Sequence, residues 1–150
     1  MNSLTYDFIL FTPFDRSRFL GAYRIAKILR DNGYSVLVVD FFKQMLKTPD
    51  VLLTWLHDHV HENTVFGFSG TFMSFAILNE TYGKLSHETR TLSRRKFAAE
   101  SGRRIEPKVV KFFEDLKFDF PDNKIVIGGA GFIAEFLFRS LPIDHLFMGY

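Results

Sequence analysis

Short apolar runs that alternate with helix-like segments are the feature that most restricts the fold of this chain. Five runs rich in β-branched and aromatic residues lie at residues 7–12, 35–40, 65–69, 125–128 and 144–148. Because the runs are apolar on both faces and helical segments separate them, they predict a parallel sheet with helices on both sides. Right-handed crossovers leave few topologies, and we expect one α/β domain with a flavodoxin-like or Rossmann-like doubly wound five-stranded sheet in the order 2-1-3-4-5.

The segments between these runs carry helix signals. Apolar residues repeat at i, i+3 and i+4 over residues 18–32, and Gly33 follows as a left-handed cap. Thr48 and Pro49 form a helix start, and we expect that helix to run to about Glu62. Further helices are expected at residues 71–82, 107–117 and 132–140.

Composition excludes several classes of site. The chain has no cysteine, which excludes a disulfide, a thiolate metal site and a cysteine nucleophile. Its net charge of +2 does not favour nucleic acid as a partner, and its apolar runs are too short to cross a membrane. No secretory signal is visible, so a cytoplasmic location is expected by default. The 19 Phe are interpreted as core volume, with a Phe-lined cavity or docking face as the alternative.

The stretch at residues 123–131, reading NKIVIGGAG, is the strongest candidate for a site. Its small residues follow a predicted strand, and Gly128-x-x-Gly131-x-x-Ala134 matches a glycine fingerprint for dinucleotides. That fingerprint belongs after the first strand, whereas here three strand–helix units precede it. Two other interpretations stay open, a tight strand–helix turn and a flat wall against which a large cofactor lies.

A series of motifs at the predicted strand ends runs through nearly the whole chain, apart from about residues 78–104. Its pieces are Thr12-Pro13-Phe14, Gly21-Ala22-Tyr23-Arg24-Ile25-Ala26, residues 29–34, residues 67–74, residues 125–129 and Phe147-Met148-Gly149-Tyr150. Together they resemble the N-terminal cobalamin-binding domain found ahead of the catalytic barrel in cobalamin-dependent radical SAM enzymes. The resemblance implies that the small residues after the third and fourth strands line a slot for the nucleotide tail of cobalamin.

The resemblance also implies which residues contact the cofactor. They are Pro13, Phe14, Asp15, Arg16, Gly21, Ser69, Gly70, Thr71, Phe72, Gly128, Gly129, Ala130, Gly131, Met148 and Gly149. A bulky flat ligand that enters between strand ends requires glycine and short hydroxyl side chains there. Cobalamin domains of the methionine-synthase and mutase type carry Asp-x-His-x-x-Gly after strand one, but residues 15–21 contain no His. We therefore expect no lower axial histidine ligand from this loop.

Two further clusters carry weaker signals. His57, His59 and His61 fall late in a predicted helix, where His57 and His61 would share a face and could hold a metal, although we favour a solvated helix end. Residues 84–104 carry seven Lys or Arg and two Glu, a local charge of +5. This basic insertion is interpreted as a solvated segment, with an RNA-backbone contact or a dock for another part of the protein as alternatives.

No serine–histidine–acid set, paired-carboxylate site or complete phosphate loop is evident, so the chain alone is not expected to be a catalyst. The last predicted strand lacks a covering helix, which predicts a fragment of a longer protein. By resemblance, the expected partner is a C-terminal radical SAM barrel that holds S-adenosylmethionine and an iron–sulfur cluster, often for methyl transfer. The alternatives are a non-catalytic interaction domain that has lost cobalamin and a fragment of a dinucleotide-dependent reductase.

Overall fold

The computed structural model of the protein describes residues 4–12, 20–70, 76–79, 103–129 and 135–147. The strands are β1 (Tyr6–Phe11), β2 (Val36–Val39), β3 (Val60–Ser69), β4 (Ile77–Asn79), β5 (Arg103–Ile105), β6 (Lys124–Gly128) and β7 (His145–Phe147). The helices are α1 (Leu20–Asp31), α2 (Phe42–Met45), α3 (Pro49–His57), α4 (Pro107–Asp119) and α5 (Glu135–Phe138). Within these ranges, no helix is long and apolar enough to cross a membrane.

Five strands form one all-parallel sheet with the order β2-β1-β3-β6-β7. The expected α/β class and the expected five-stranded parallel sheet are therefore confirmed. The order differs in detail from the predicted 2-1-3-4-5, because two unexpected short strands, β4 and β5, intervene along the chain. These strands form a separate antiparallel pair in which Ile77 lies opposite Ile105.

The two faces of the sheet carry two apolar clusters, because successive side chains of a strand point to opposite faces. On one face, Ile9 and Phe66 belong to a large core that also contains Leu56 of α3 and Phe113 of α4. On the other face, α1 packs against β1 and β2 in a smaller cluster. Helices therefore cover both faces, which is what strands that are apolar on both sides require.

Phenylalanine supplies much of the volume of the large core. Phe11 stacks on Phe68 with the ring centroids 4.7 Å apart, and Phe42 meets Phe112 edge-on at 5.3 Å. All four side chains are buried. Aromatic pairs in such arrangements contribute about 0.5–1.5 kcal/mol each beyond the burial of their area. The interpretation of the Phe residues as core volume is confirmed for these positions.

Helix α3 begins where the sequence predicts and ends earlier. Thr48 is its N-cap residue, although the hydroxyl makes no capping bond, and Pro49 takes the first turn. The helix ends at His57 rather than near Glu62. The His59 ring bonds to the Trp55 carbonyl at 2.7 Å, so a side chain satisfies one of the last helical carbonyls and the chain turns into β3.

The region between β3 and α4 differs most from the expectation. Ile77–Asn79 is a strand instead of part of a helix, because its backbone pairs with β5. The expected helix over residues 71–82 is therefore wrong at these three positions. Of the expected basic insertion, only its end at Arg103 and Arg104 belongs to the described residues, and both lie in β5.

The glycine cap after α1 is confirmed, since Gly33 has φ +90°.

Candidate functional site

The carboxyl ends of the parallel strands bring together two of the segments that the sequence singles out. Ser69 at the end of β3 lies in register with Gly128 at the end of β6, and Gly128 lies in register with Phe147 of β7. The Gly70 N–H donates to the Gly128 carbonyl at 2.7 Å, which holds the two strand ends side by side. Because paired residues of neighbouring strands point to the same face, Ser69 and Gly128 form one continuous row of small residues.

The two adjacent glycines of this row have different structural roles. Among the described residues, a Cβ built on Gly128 would meet no atom closer than the Phe147 Cβ, at 3.9 Å, which is ordinary contact. Gly129 has φ +72°, a left-handed backbone that favours glycine for conformational reasons alone. The tight turn expected after this strand therefore accounts for Gly129. It does not account for Gly128, because the described residues leave space for a side chain there.

A polar network joins the ends of β1 and β2 at the same edge of the sheet. Thr12 is buried, and its hydroxyl donates to one carboxylate oxygen of Asp40 at 2.7 Å. The Tyr23 hydroxyl of α1 donates to the other oxygen at 2.6 Å. The network fixes α1 against the two strand ends. Sequence reasoning missed Asp40 as a site residue, although its place as the last residue of an apolar run was a usable signal.

The structure describes part of the predicted cofactor site. Gly21 lies in the first turn of α1, and a Cβ built there would meet no atom of the described residues within 4 Å. Ser69 is half-buried, Gly70 is buried and Gly129 is exposed. The remaining predicted contacts lie outside the described residues: Pro13, Phe14, Asp15, Arg16, Thr71, Phe72, Ala130, Gly131, Met148 and Gly149.

The three neighbouring histidines do not share a helix face. His57 is the last residue of α3 and bonds to Asp119 of α4 at 3.1 Å, whereas His61 lies in β3 and bonds to Asp7 at 3.1 Å. The helical spacing considered for a metal site is therefore wrong. Among the described residues, no group of three or more His, Asp or Glu is placed to hold a metal ion.

The fold and this edge define an α/β protein whose candidate site lies at the carboxyl ends of parallel strands, where open sheets of this class bind ligands. Comparison with protein-family models, with curated proteins and with solved structures gives no match.

Proposed function

We propose that this chain is a cobalamin-binding module of the kind that precedes the barrel of a radical SAM enzyme. The observation that carries the proposal is the open space that the described part of the chain leaves beside Gly128. A large flat ligand needs a wall without protruding side chains, and the Ser69 and Gly128 pair offers such a wall on neighbouring strands. The residues present at this edge therefore fit the group that the sequence resemblance implies.

A flavodoxin-like, doubly wound topology is part of the same proposal. When only the strands of the parallel sheet are counted, their order agrees with that topology, in which the first strand lies between the second and the third. The switch point then falls between β1 and β3, close to the row that contains Ser69. Helices α3 and α4 pack on one face and α1 on the other, which also supports this arrangement.

Several residues of this chain would hold the cofactor. Ser69 and Gly128 would form the wall of the slot, and the sequence resemblance implies that Asp15 and Arg16, which lie outside the described residues, would contact the cofactor. Because residues 15–21 contain no His, a lower axial imidazole cannot come from them. When bound, cobalamin supplies methyl-transfer chemistry. The proposed partner is a radical SAM barrel with its S-adenosylmethionine and iron–sulfur cluster, and a cytoplasmic location stays a prediction.

Titration with hydroxocobalamin tests the proposal directly. The ultraviolet–visible spectrum of the cofactor is followed while the chain is added, and we expect a saturable shift at micromolar concentrations. Absence of binding at tens of micromolar protein would contradict the proposal and favour a non-catalytic interaction domain. A parallel titration followed by NADH fluorescence tests the dinucleotide alternative, which the position of Gly128 on β6 rather than on β1 does not favour.

Substitution of Gly128 by Trp locates the site. The indole would fill the open space beside Gly128, so Gly128→Trp should abolish cobalamin binding while circular dichroism stays unchanged. Lys124→Trp is the matched control, because Lys124 is exposed and lies on the same strand and face, about 13 Å away. Gly129 is a poorer target, since any side chain strains its left-handed backbone. Equal loss of binding in both variants would place the ligand elsewhere.

A further inference from the structure

A groove of about 450 Å³ lies along the outer edge of β2. Residues 37–40 line it from the strand, Val51 and Trp55 line it from α3, and β1 contributes no residue. Strand β2 pairs only with β1 among the described strands, so no described strand covers its other edge. The groove is separate from the row of Ser69 and Gly128, because β1 lies between β2 and β3.

The hydrogen bonds between β1 and β2 show which backbone groups of β2 face outward. The Phe8 N–H donates to the Ser35 carbonyl at 3.1 Å. The Thr12 N–H donates to the Val39 carbonyl at 2.9 Å, so β2 bonds to β1 through its odd-numbered residues. Because the backbone groups of successive residues in a strand point to opposite sides, the N–H and carbonyl of Val38 point to the outer edge. Such groups of an edge strand can pair with a further strand.

An arginine covers one end of this edge. The Arg30 guanidinium of α1 donates to the Val36 carbonyl at 2.7 Å, which confirms that the even-numbered residues of β2 face outward. Charged side chains on an edge strand hinder its pairing with other chains. Among the described residues, no side chain covers the Val38 backbone in this way. The open part of the edge is therefore short, and it adjoins the groove.

The groove itself is apolar. Leu37 packs with the large core, so its side chain lies on the α3 face, and Val51 is 67% exposed there. Phe41 lines the groove after the strand and has φ +65°, which is uncommon for a bulky residue and often found at functional sites. Asp40 is the one charged residue of the lining in the described chain, and its carboxylate bonds to Tyr23 on the opposite face of the sheet. Apolar ligand groups are therefore complementary to the groove.

An extended peptide fits both the open edge and the groove. Side chains of a strand alternate between its faces, so a segment bonded to Val38 places every second side chain in the groove. Such side chains lie about 7 Å apart, and residues 37–40 span about 10 Å, so the groove has the length for two of them. A second copy of β2 would not fill it, because both faces of that strand already pack against helices of its own chain. The occupant must have side chains that are still free.

We propose that the outer edge of β2 binds an extended apolar peptide segment of a partner protein by β-strand addition. The Val38 N–H and carbonyl bond to the peptide backbone, and alternate apolar side chains of the peptide lie against Leu37, Val51 and Trp55. The surface is independent of the proposed cobalamin slot, because none of these residues belongs to that slot.

Fluorescence of Trp55 provides the assay, because the chain contains one tryptophan. The full chain is titrated at pH 7 with a short blocked peptide in which Leu alternates with Thr and Lys stands at each end. Two further peptides are N-methylated, one at every Leu and one at every Thr, which removes the N–H groups from one edge of the peptide or from the other. The natural peptide should give a saturable change.

The methylated peptides separate backbone pairing from apolar contact. Only one edge of the peptide bonds to β2, so one methylated peptide should bind like the parent and the other about ten-fold more weakly. Equal affinity of the two methylated peptides would overturn the proposal, because the backbone would then not be recognised. Absence of a saturable change with the parent peptide would overturn it as well.

Val38→Pro tests the open edge in the protein. Proline removes the outward N–H and leaves the odd-numbered residues free to bond to β1, and edge strands tolerate proline where the nitrogen faces outward. Peptide binding should weaken about ten-fold. Val38→Ala is the matched control, because it keeps the N–H, and it should bind like the natural chain. A dimer that forms in the natural chain and is lost in Val38→Pro, measured by sedimentation, would overturn the proposal in favour of a second copy.

Val51→Gln tests the groove without a change in the strand, so it decides the matter even if Val38→Pro does not fold. The amide would lie against apolar side chains of the peptide, and binding should weaken about five-fold. Thr54→Gln is the control, because Thr54 is exposed on the same helix and does not line the groove. Unchanged peptide binding in Val51→Gln would overturn the proposal.

Discussion

The amino and carboxyl ends of the parallel sheet are held together in different ways. At the amino end, side chains bond across all four adjacent strand pairs: Asp7 to the Ser35 N–H, Thr64 to the Tyr6 carbonyl, Asn123 to the Thr64 carbonyl and Asp144 to the Ile125 N–H. At the carboxyl end, the described residues form one such side-chain link, between Thr12 and Asp40. The other contacts between strand ends in the described part of this edge are made by the backbone, as between Gly70 and Gly128.

This difference indicates which end of the sheet stabilises the fold and which end is available to bind a ligand. Apart from the exposed contact between Asp7 and Ser35, the amino end fixes strand register through buried or half-buried polar groups, which are costly to leave without partners. Strand ends that need no side chain for stability are then available for binding a ligand, and in parallel sheets these are the carboxyl ends. We therefore expect substitutions at the amino end to change the free energy of unfolding, and substitutions at Gly128 to change binding instead.

The largest effect is expected for Asn123→Ala. Asn123 is 6% exposed, and its amide donates to the carbonyls of His61 and Thr64 at 2.9 and 2.8 Å. Removing the amide leaves these carbonyls without that donor, which should lower the free energy of unfolding by about 3 kcal/mol. Urea unfolding followed by circular dichroism measures the change. Asn63→Ala, at an exposed position of the same strand, is the control and should change stability by less than about 0.5 kcal/mol.

A smaller loss is expected for Gly67→Ala in the middle of β3. A Cβ at this position would lie 2.6 Å from the Leu10 Cδ2, which is too close, and Leu10 is buried. The repacking should cost about 2 kcal/mol in the free energy of unfolding. Leu10→Val removes the clashing carbon, so the double variant should be more stable than the two single losses predict. Strict additivity of the two losses would show that Leu10 is not the cause.

Asp144→Asn tests whether a charged side chain at the amino end stabilises the fold, because that contribution should depend on pH. Burial raises the pKa of Asp144, but the Ile125 N–H, 2.8 Å away, and the Lys117 ammonium, 3.1 Å away, outweigh it and hold the pKa below its usual value. Because the folded pKa lies below the unfolded one, the carboxylate stabilises the fold above about pH 4 and less as pH falls through the folded value. The variant should therefore lose about 1.5 kcal/mol at pH 7.

The pH dependence of the free energy of unfolding provides the check on Asp144→Asn. Urea unfolding of the two proteins between pH 7 and pH 3 should give a stability difference that shrinks as pH falls. A difference that is constant over this range would mean that the charge of Asp144 contributes nothing, and that the loss comes from packing. Glu62→Gln, at an exposed position near the same end of the sheet, is the control and should change stability at pH 7 by less than about 0.5 kcal/mol.

The sequence predicted the sheet better than the regions around it. Apolar β-branched runs specify buried parallel strands almost by themselves, and β1, β2 and β6 begin and end within one residue of expectation. β3 was expected at Val65 and begins at Val60, because its polar first residues are held by Asn123 and by the Thr64 hydroxyl. Such long-range side-chain bonds leave no periodic signal in the sequence.

The candidate site was predicted only in part for a related reason. The small residues Ser69 and Gly128 were found because strand ends can be located from sequence, and parallel pairing then places them together. Asp40 was missed because its partners, Thr12 and Tyr23, come together only when β1, β2 and α1 are assembled. The left-handed backbone of Phe41 could not be expected, since a bulky residue rarely adopts it.

The smallest effect on stability is expected for Gly128→Ala, and it decides whether the contrast between the two ends is correct. The nearest atom to the new Cβ would be the Phe147 Cβ at 3.9 Å, and Gly128, unlike Gly129, does not have a positive φ. Alanine also restricts the unfolded chain, so the free energy of unfolding should change by less than about 0.5 kcal/mol or rise slightly. Gly67→Ala is the matched glycine on the neighbouring strand. A loss as large as that of Gly67→Ala would mean that the fold itself requires Gly128, and the Ser69 and Gly128 pair would then no longer support a binding wall.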